Sequence, residues 1–384
     1  MDEISVLIVD DSALMRNLIS RIINNLPGAT VIGKAMNGKM ALDRIKVLHP
    51  DIVILDLEMP VMNGVEFMRE RKKLQMDVPV IILSSIARKG ASITMECLEL
   101  GASDFLLKPS GPESHDIGVV ADSLSEMIFS YGAAYALLHG KNIQFKDPSS
   151  VKQEQVSKKT ISSNRASLQA IHSAFGASET KQDSIVPIRE PGRIEVIAWG
   201  ISTGGPNALR QVFSQLSPEI RQPMLVVQHM PAGFTEEFAN SLNHICPLTV
   251  KEAADGDLLK PGRILIAPGN KHIVLEKRSL AMIVRLSDAP ACNGHRPSVD
   301  VLFESIAKEY KNRALGIIMT GMGRDGATQL AELRKQGSRT IGQDEESAIV
   351  YGMPKVAWNL GAVQKQVSLN DMAKSVNDLA IRYA

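Results

Sequence analysis

The sequence is short of several things. Cysteine occurs only as Cys97, Cys246 and Cys292, each isolated and none in a CxxC pair. That points to neither a disulfide framework nor a cysteine zinc site. Aromatic residues make up 4% of the 384 residues, so the cores must be built from aliphatic side chains and the 17 Met. Neither sign of charge dominates: 43 Lys and Arg against 42 Asp and Glu leave a formal net charge of +1. A broad electrostatic nucleic-acid binder usually carries a basic excess, so that class is disfavoured. No apolar run approaches the roughly 18 residues needed to cross a bilayer, and no direct membrane insertion is expected. The opening MDEISVLIVDD lacks the basic stretch of a secretory signal, so a cytoplasmic location is expected. What is present is ordinary for globular domains, 44% hydrophobic residues over a length suited to two domains and connecting chain.

Residues 4–138 alternate short apolar runs with longer helical patterns. Strands are predicted at Ile4–Val9, Thr30–Ala35, Ile52–Leu55, Val80–Leu83 and Asp104–Leu107, with a last helix over about 116–138. Such alternation implies a parallel sheet covered by helices on both faces. Composition shifts near 140. Nine serines fall between Ser149 and Ser184 among Lys, Gln and Glu, too little apolar surface to offset ordering entropy. The expected layout is a first domain over 1–125, its last helix extending to 138, a linker over 139–190 with a short helix near 167–175, and a second domain over 191–384. In that second domain strands are predicted at Ile194–Trp199, Met224–Gln228, Arg263–Ala267, Ala281–Leu286, Leu315–Met319 and Arg339–Gly342.

In the first half, Asp10 and Asp11 follow the first strand, Asp56 ends the third, and Lys108 follows the fifth, before Pro109. Ligands of an open parallel sheet sit outside the carboxyl ends of its strands, so these residues should converge on one rim. A single aspartate there usually only caps the next helix. Three crowded carboxylates call instead for a hard cation, and a neutralised carboxylate beside a lysine can accept a phosphoryl group. With Met59-Pro60, Gly64 and Ser84, this half resembles the receiver domain of two-component response regulators. The resemblance implies Asp56 as phospho-acceptor, Mg²⁺ held by Asp10, Asp11 and Asp56, phosphoryl contacts from Ser84 and Lys108, and Phe105 as the aromatic switch residue.

In the second half, a strand runs into Gly200-Ile-Ser202-Thr-Gly-Gly-Pro206 and a helix follows. The glycines allow a sharp turn that exposes the Ser202 hydroxyl at a helix N-terminus, where anions are favoured. Taken alone, the motif fits a nucleophile turn and a structural or phosphate-cradling loop equally well. His229, at the end of Met224–Gln228, is the best-placed base. His272 in a predicted turn and His295 before a predicted helix start read as surface or capping residues. Asp325 is the one carboxylate in Thr320-Gly-Met-Gly-Arg-Asp-Gly326. The chain order Ser, His, Asp departs from that of α/β-hydrolases.

GISTGGP (200–206), QHMPAGFT (228–235), IAPGNKH (266–272), HRPSVDVLF (295–303) and TGMGRDGA (320–327) together resemble the methylesterase domain of chemotaxis protein-glutamate methylesterases, over about 191–381. One departure is Ile201, where that family commonly has alanine. The implied fold is two doubly wound parallel-sheet α/β domains, a flavodoxin-like receiver and a Rossmann-like esterase. The implied activity is hydrolysis of γ-glutamyl methyl esters, and deamidation of glutamines, on methyl-accepting chemoreceptors. Ser202 would be the nucleophile, His229 the base and Asp325 its orienting acid, with oxyanion donors at Met322 and Thr203 and no cofactor in the esterase site. The implied phosphodonor is the chemotaxis histidine kinase, and the unphosphorylated receiver would inhibit by covering the Ser202 rim. Three rivals are weaker. A DNA-binding output lacks a helix-turn-helix or basic module. A non-catalytic module would use Ser202 only as a loop. A metal hydrolase lacks HExxH or paired ligands.

Overall fold

The computed structural model describes residues 2–85, 88–108, 117–143, 185–279 and 281–384. The chain divides near residue 180 into two compact units, each taken by itself below. Most of the expected linker, with its predicted short helix, lies outside the described residues.

Five strands of the first unit, β1 (Ile4–Val9), β2 (Ala29–Ala35), β3 (Ile52–Asp56), β4 (Val80–Ser84) and β5 (Asp104–Leu107), form a parallel sheet in the order β2-β1-β3-β4-β5. Helices α1 (Ala13–Asn24), α2 (Gly38–Leu48), α3 (Gly64–Lys73), α4 (Arg88–Glu99) and α5 (Ile117–Met127) alternate with them. Strand periodicity sends Ile4, Val6 and Ile8 of β1 into one core with Ile52 and Ile54 of β3, Ile19 and Ile23 of α1 and Leu124 of α5. Every residue of β1 is buried, as both-face coverage requires. The predicted last helix runs on through a π turn at Ile128–Gly132 into α6 (Ala133–Leu138). Within that turn Tyr131 donates its hydroxyl to the Ser103 carbonyl and Asp104, both at 3.1 Å, which ties the extra residue to the start of β5. Lys141 then pairs with buried Asp51 at 2.6 Å.

The second unit has a seven-stranded parallel sheet in the order β14-β13-β12-β6-β7-β9-β8. Its strands are β6 (Val196–Ile201), β7 (Met224–Gln228), β8 (Thr249–Glu252), β9 (Arg263–Ile266), β12 (Ala314–Ile318), β13 (Arg339–Gln343) and β14 (Lys365–Val367). An antiparallel ribbon, β10 (His272–Lys277) with β11 (Met282–Ser287), stands apart from it. The helices are α7 (Gly205–Phe213), α8 (Phe234–Ile245), α9 (Val299–Tyr310), α10 (Ala327–Gln336), α11 (Met353–Asn359) and α12 (Leu369–Arg382). No helix among the described residues is long and apolar enough to cross a membrane.

The structure corrects the sequence reading here in three ways. The segment at 281–286 pairs with β10 and not in the parallel sheet. Strands β8, β10 and β14 went unpredicted; β8 and β14 are short, partly polar edge strands without the apolar run of a central strand. And β6 runs two residues past its predicted end. Gly200 does not break the strand: a Cβ there would meet Val299 Cγ1 at 2.2 Å, so its missing side chain is where α9 packs against β6.

Candidate functional site

In the first unit, β1, β3 and β5 deliver Asp10, Asp56 and Lys108 to one rim. Asp10 and Asp56 are buried and Asp11 is exposed, yet one oxygen from each lies within 4.8 Å of the others. Neither buried carboxylate caps a helix, because Ser12 caps α1 and Asn63 caps α3. Lys108 Nζ lies 2.7 Å from Asp56 Oδ2 and 3.1 Å from Asp10 Oδ2. Burial works against the charge on Lys108, but the hydrogen bond and charge of Asp56, with Asp10, hold its pKa above the ordinary value. Burial likewise pushes the Asp56 carboxyl up, opposed by Lys108. Asp10 Oδ1 accepts from Ser12 N at 2.8 Å, while among the described residues the buried Asp10 Oδ2 faces only the Lys108 ammonium. A buried carboxylate oxygen so placed, beside two more carboxylates, fits a hard cation. Ser84 is fully buried, and its hydroxyl lies 2.8 Å from that of Thr94 on α4. Phe105 is buried within β5.

In the second unit, β6 and β12 are neighbours, but the chain leaves β6 toward β7 and returns to β12 only after the ribbon and α9. This is the switch point of a doubly wound sheet, where its crevice opens. Ser202 follows β6 directly, and its N–H donates to the Thr320 carbonyl beyond β12 at 2.9 Å. Gly204 turns the chain with φ 78 into α7. Gly321 permits the close approach from β12, since a Cβ there would lie 2.6 Å from that of Ser202. The serine is not exposed as expected: the residue is 9% accessible, with Thr320 and Gly321 packed close against its backbone. Thr320 also donates its hydroxyl to the Thr203 carbonyl at 2.9 Å. The Met322 side chain is 51% exposed beside this loop.

His229 extends β7, donating its N–H to the Ile201 carbonyl at 3.2 Å. Its Nδ1 lies 3.1 Å from Ser202 Oγ, and its Nε2 lies 2.9 Å from Asp325 Oδ2. A carboxylate only accepts, so Nε2 carries the proton and Nδ1 is left to accept from the serine hydroxyl. Asp325 is 1% accessible. It also accepts from Ser298 Oγ and Val299 N at 2.7 Å, Asn293 Nδ2 at 2.8 Å and Asp300 N at 3.2 Å. Two of these are N–H groups at the start of α9, where a negative charge is favoured. Burial alone would raise this carboxyl, but the hydrogen bond from His229, with those from Asn293 and Ser298, holds it well below the usual range.

Two histidines depart from their sequence reading. His272 opens β10, fully buried; its Nε2 meets the Pro290 carbonyl at 3.1 Å and its Nδ1 accepts from Ser298 N at 3.2 Å. His295 stacks on His229, with ring centroids 3.7 Å apart and 10° between planes. Asn293, Ser298 and His295 thus all serve the site. Their sequence signals were the Asn-Gly pair and the serine opening α9, neither of which says what it faces.

The two units define a class, a receiver joined to an α/β unit with a serine, histidine and aspartate in hydrogen-bonded sequence. The description "CheB methylesterase" matches residues 197–376, and "Response regulator receiver domain" matches residues 6–115. A protein-glutamate methylesterase/protein-glutamine glutaminase of Treponema denticola is 54% identical over the whole of both chains. The protein of that name from Treponema pallidum is 52% identical, covering 98% of this chain and 97% of its own. The solved catalytic domain of Thermotoga maritima CheB methylesterase is 34% identical over 49% of this chain and 98% of that one, with a TM-score of 0.47. This chain belongs to the CheB family of protein-glutamate methylesterase/protein-glutamine glutaminase enzymes.

Proposed function

We propose that this chain hydrolyses γ-glutamyl methyl esters on methyl-accepting chemoreceptors, and deamidates particular glutamines there, under control of phosphorylation at Asp56. The observation that carries the reading is the hydrogen-bonded run from Ser202 Oγ through His229 to Asp325 at the switch point of the sheet. Ser202 Oγ attacks the ester carbonyl while His229 Nδ1 takes its proton. The imidazolium returns that proton to the departing methoxide, giving methanol and an acyl-serine. Water, deprotonated by the same nitrogen, then releases glutamate. With a glutamine substrate the leaving group is ammonia. Asp325 holds the ring in the required tautomer and offsets its charge. The backbone N–H groups of Met322 and Thr203 are the proposed oxyanion donors, and losing one such donor typically raises the barrier by about 2.7–4 kcal/mol.

In the receiver, Asp10, Asp11 and Asp56 would hold Mg²⁺, which offsets charge on the incoming phosphoryl oxygens. Asp56 receives the phosphoryl group from the chemotaxis histidine kinase. Lys108 contacts it, and Ser84 leaves Thr94 to do the same. Phe105 repacks with it, and inhibition of the esterase by the receiver is relieved.

The test is methanol release from methyl-labelled receptor membranes by the full chain, with and without acetyl phosphate and Mg²⁺. Release should vanish in Ser202→Ala, and its rise with phosphodonor should vanish in Asp56→Asn. Unchanged release from Ser202→Ala would overturn the esterase reading. A rise that survives in Asp56→Asn would overturn the regulatory one.

A further inference from the structure

One turn reaches both the base and the acid of the proposed triad. Cys292 and His295 exchange backbone hydrogen bonds of 3.1 and 2.9 Å. Asn293 and Gly294 between them have φ 52 and 82, the positive values of a type I′ turn, which Asn-Gly adopts most readily. From the tip, the Asn293 amide donates to Asp325 Oδ1 at 2.8 Å and to Asp300 Oδ2 at 2.7 Å. From its far end, the His295 ring lies flat on His229. The following residue is pinned as well: Arg296 donates twice to Asn270 Oδ1, at 2.6 and 3.0 Å, and accepts from Asn270 N at 3.0 Å.

The physical need for such a contact follows from the ring. Both nitrogens of His229 are engaged in its plane, by Ser202 and Asp325. Two in-plane hydrogen bonds resist sliding but offer little resistance to tilting about the line that joins them. A flat neighbour on the ring face supplies that resistance and keeps water off it. It also presents a π face to the positive charge that forms when His229 takes the serine proton. This works only with a neutral neighbour. Burial and the closeness of His229 lower His295 to about 4, so it is uncharged at neutral pH.

We propose that the Asn293–His295 turn is a positioning element of the esterase, with His295 stacked to hold the imidazole of His229 in line between Ser202 and Asp325. The proposal rests on the triad reading above. The test uses the full chain and two readouts, methanol release from labelled receptors and the labelling rate of Ser202 by a fluorophosphonate. His295→Ala should lower kcat about ten- to a hundredfold, the scale of a misplaced catalytic group, with KM little changed, and should slow labelling to match. His295→Phe, which keeps a flat neutral ring, should recover most of both rates. Labelling of His295→Ala at the wild-type rate would overturn the proposal, as would His295→Phe as slow as His295→Ala. If the wild type labels at Ser202 but releases no methanol, the substrate reading fails while the labelling comparison still decides the positioning. If the wild type does not label at Ser202, both readings fall.

Discussion

The two sites of this chain occupy equivalent places, the carboxyl ends of central strands in parallel sheets, yet they are finished in opposite ways. At the receiver site, two buried aspartates share one lysine, and among the described residues Asp10 Oδ2 has no partner besides that lysine. At the triad, Asp325 has five hydrogen-bond donors around it. An incomplete set of partners leaves room for a cation and an incoming group. A completed set holds one side chain in one orientation while bonds change beside it. On the proposed reading, corresponding ends of two parallel sheets thus carry a site that is altered in use and a site that stays fixed.

The comparison breaks most visibly at Asp325. Asp325→Asn removes the acceptor that fixes the His229 tautomer, and kcat for methanol release should fall by about 10⁴-fold, with receiver phosphorylation by acetyl phosphate unchanged. A loss below tenfold would show that the closed site does not depend on its acid.

At the open site, Lys108→Met leaves Asp10 and Asp56 facing each other without a cation. The receiver should lose about 3–5 kcal/mol of stability in chemical denaturation without metal, as when one partner of a buried pair is removed. Added Mg²⁺ should raise the midpoint of this variant more than that of the wild type. An equal Mg²⁺ effect in both would place the cation elsewhere.

Next to Ser202, Ile201 is fully buried, and its Cγ1 would lie 3.0 Å from a Cβ at Gly205. Ile201→Ala should destabilise the second unit by about 2–4 kcal/mol through lost burial and a cavity, while kcat stays near that of the parent. A large fall in kcat with unchanged stability would mean that Ile201 shapes the serine directly.

The smallest effect concerns pH. His295 is held at about 4 against an ordinary 6.5, so between these values the unfolded chain binds the proton and the folded chain does not. The resulting stabilisation is complete above pH 6.5 and lost as pH falls toward 4, on the order of 2–3 kcal/mol. Asp325, held low, adds stability that is retained above the unfolded carboxylate range and lost only as pH falls below it. Denaturation midpoints of His295→Phe between pH 6.5 and 4 should therefore fall less steeply than those of the wild type. Parallel curves would show that His295 does not titrate with folding.

Much of the fold could be read directly. The buried central strands of both sheets are continuous apolar runs, and those signals depend only on local order. Short edge strands such as Lys365–Val367 carry no such run, and Gly200 looked like a break because the residue that fills its space, Val299, lies almost a hundred positions away. His295 was read as a surface or capping residue for the same reason: nothing near it in sequence shows that His229 lies under its ring.

The sequence by itself determined the alternation that makes two parallel sheets, and the residue types that stand at their strand ends: Asp10, Asp56 and Lys108 in one, Ser202, His229 and Asp325 in the other. Local pattern suffices there, because burial on both faces demands unbroken apolar strands and polar residues collect where the strands stop. Only the tertiary structure decided which nitrogen of His229 faces the serine, which donors surround Asp325 and what lies on the imidazole. Those depend on distances between segments brought together by sheet order and by a turn after β11, and no residue records its own distance to a partner thirty or a hundred positions away.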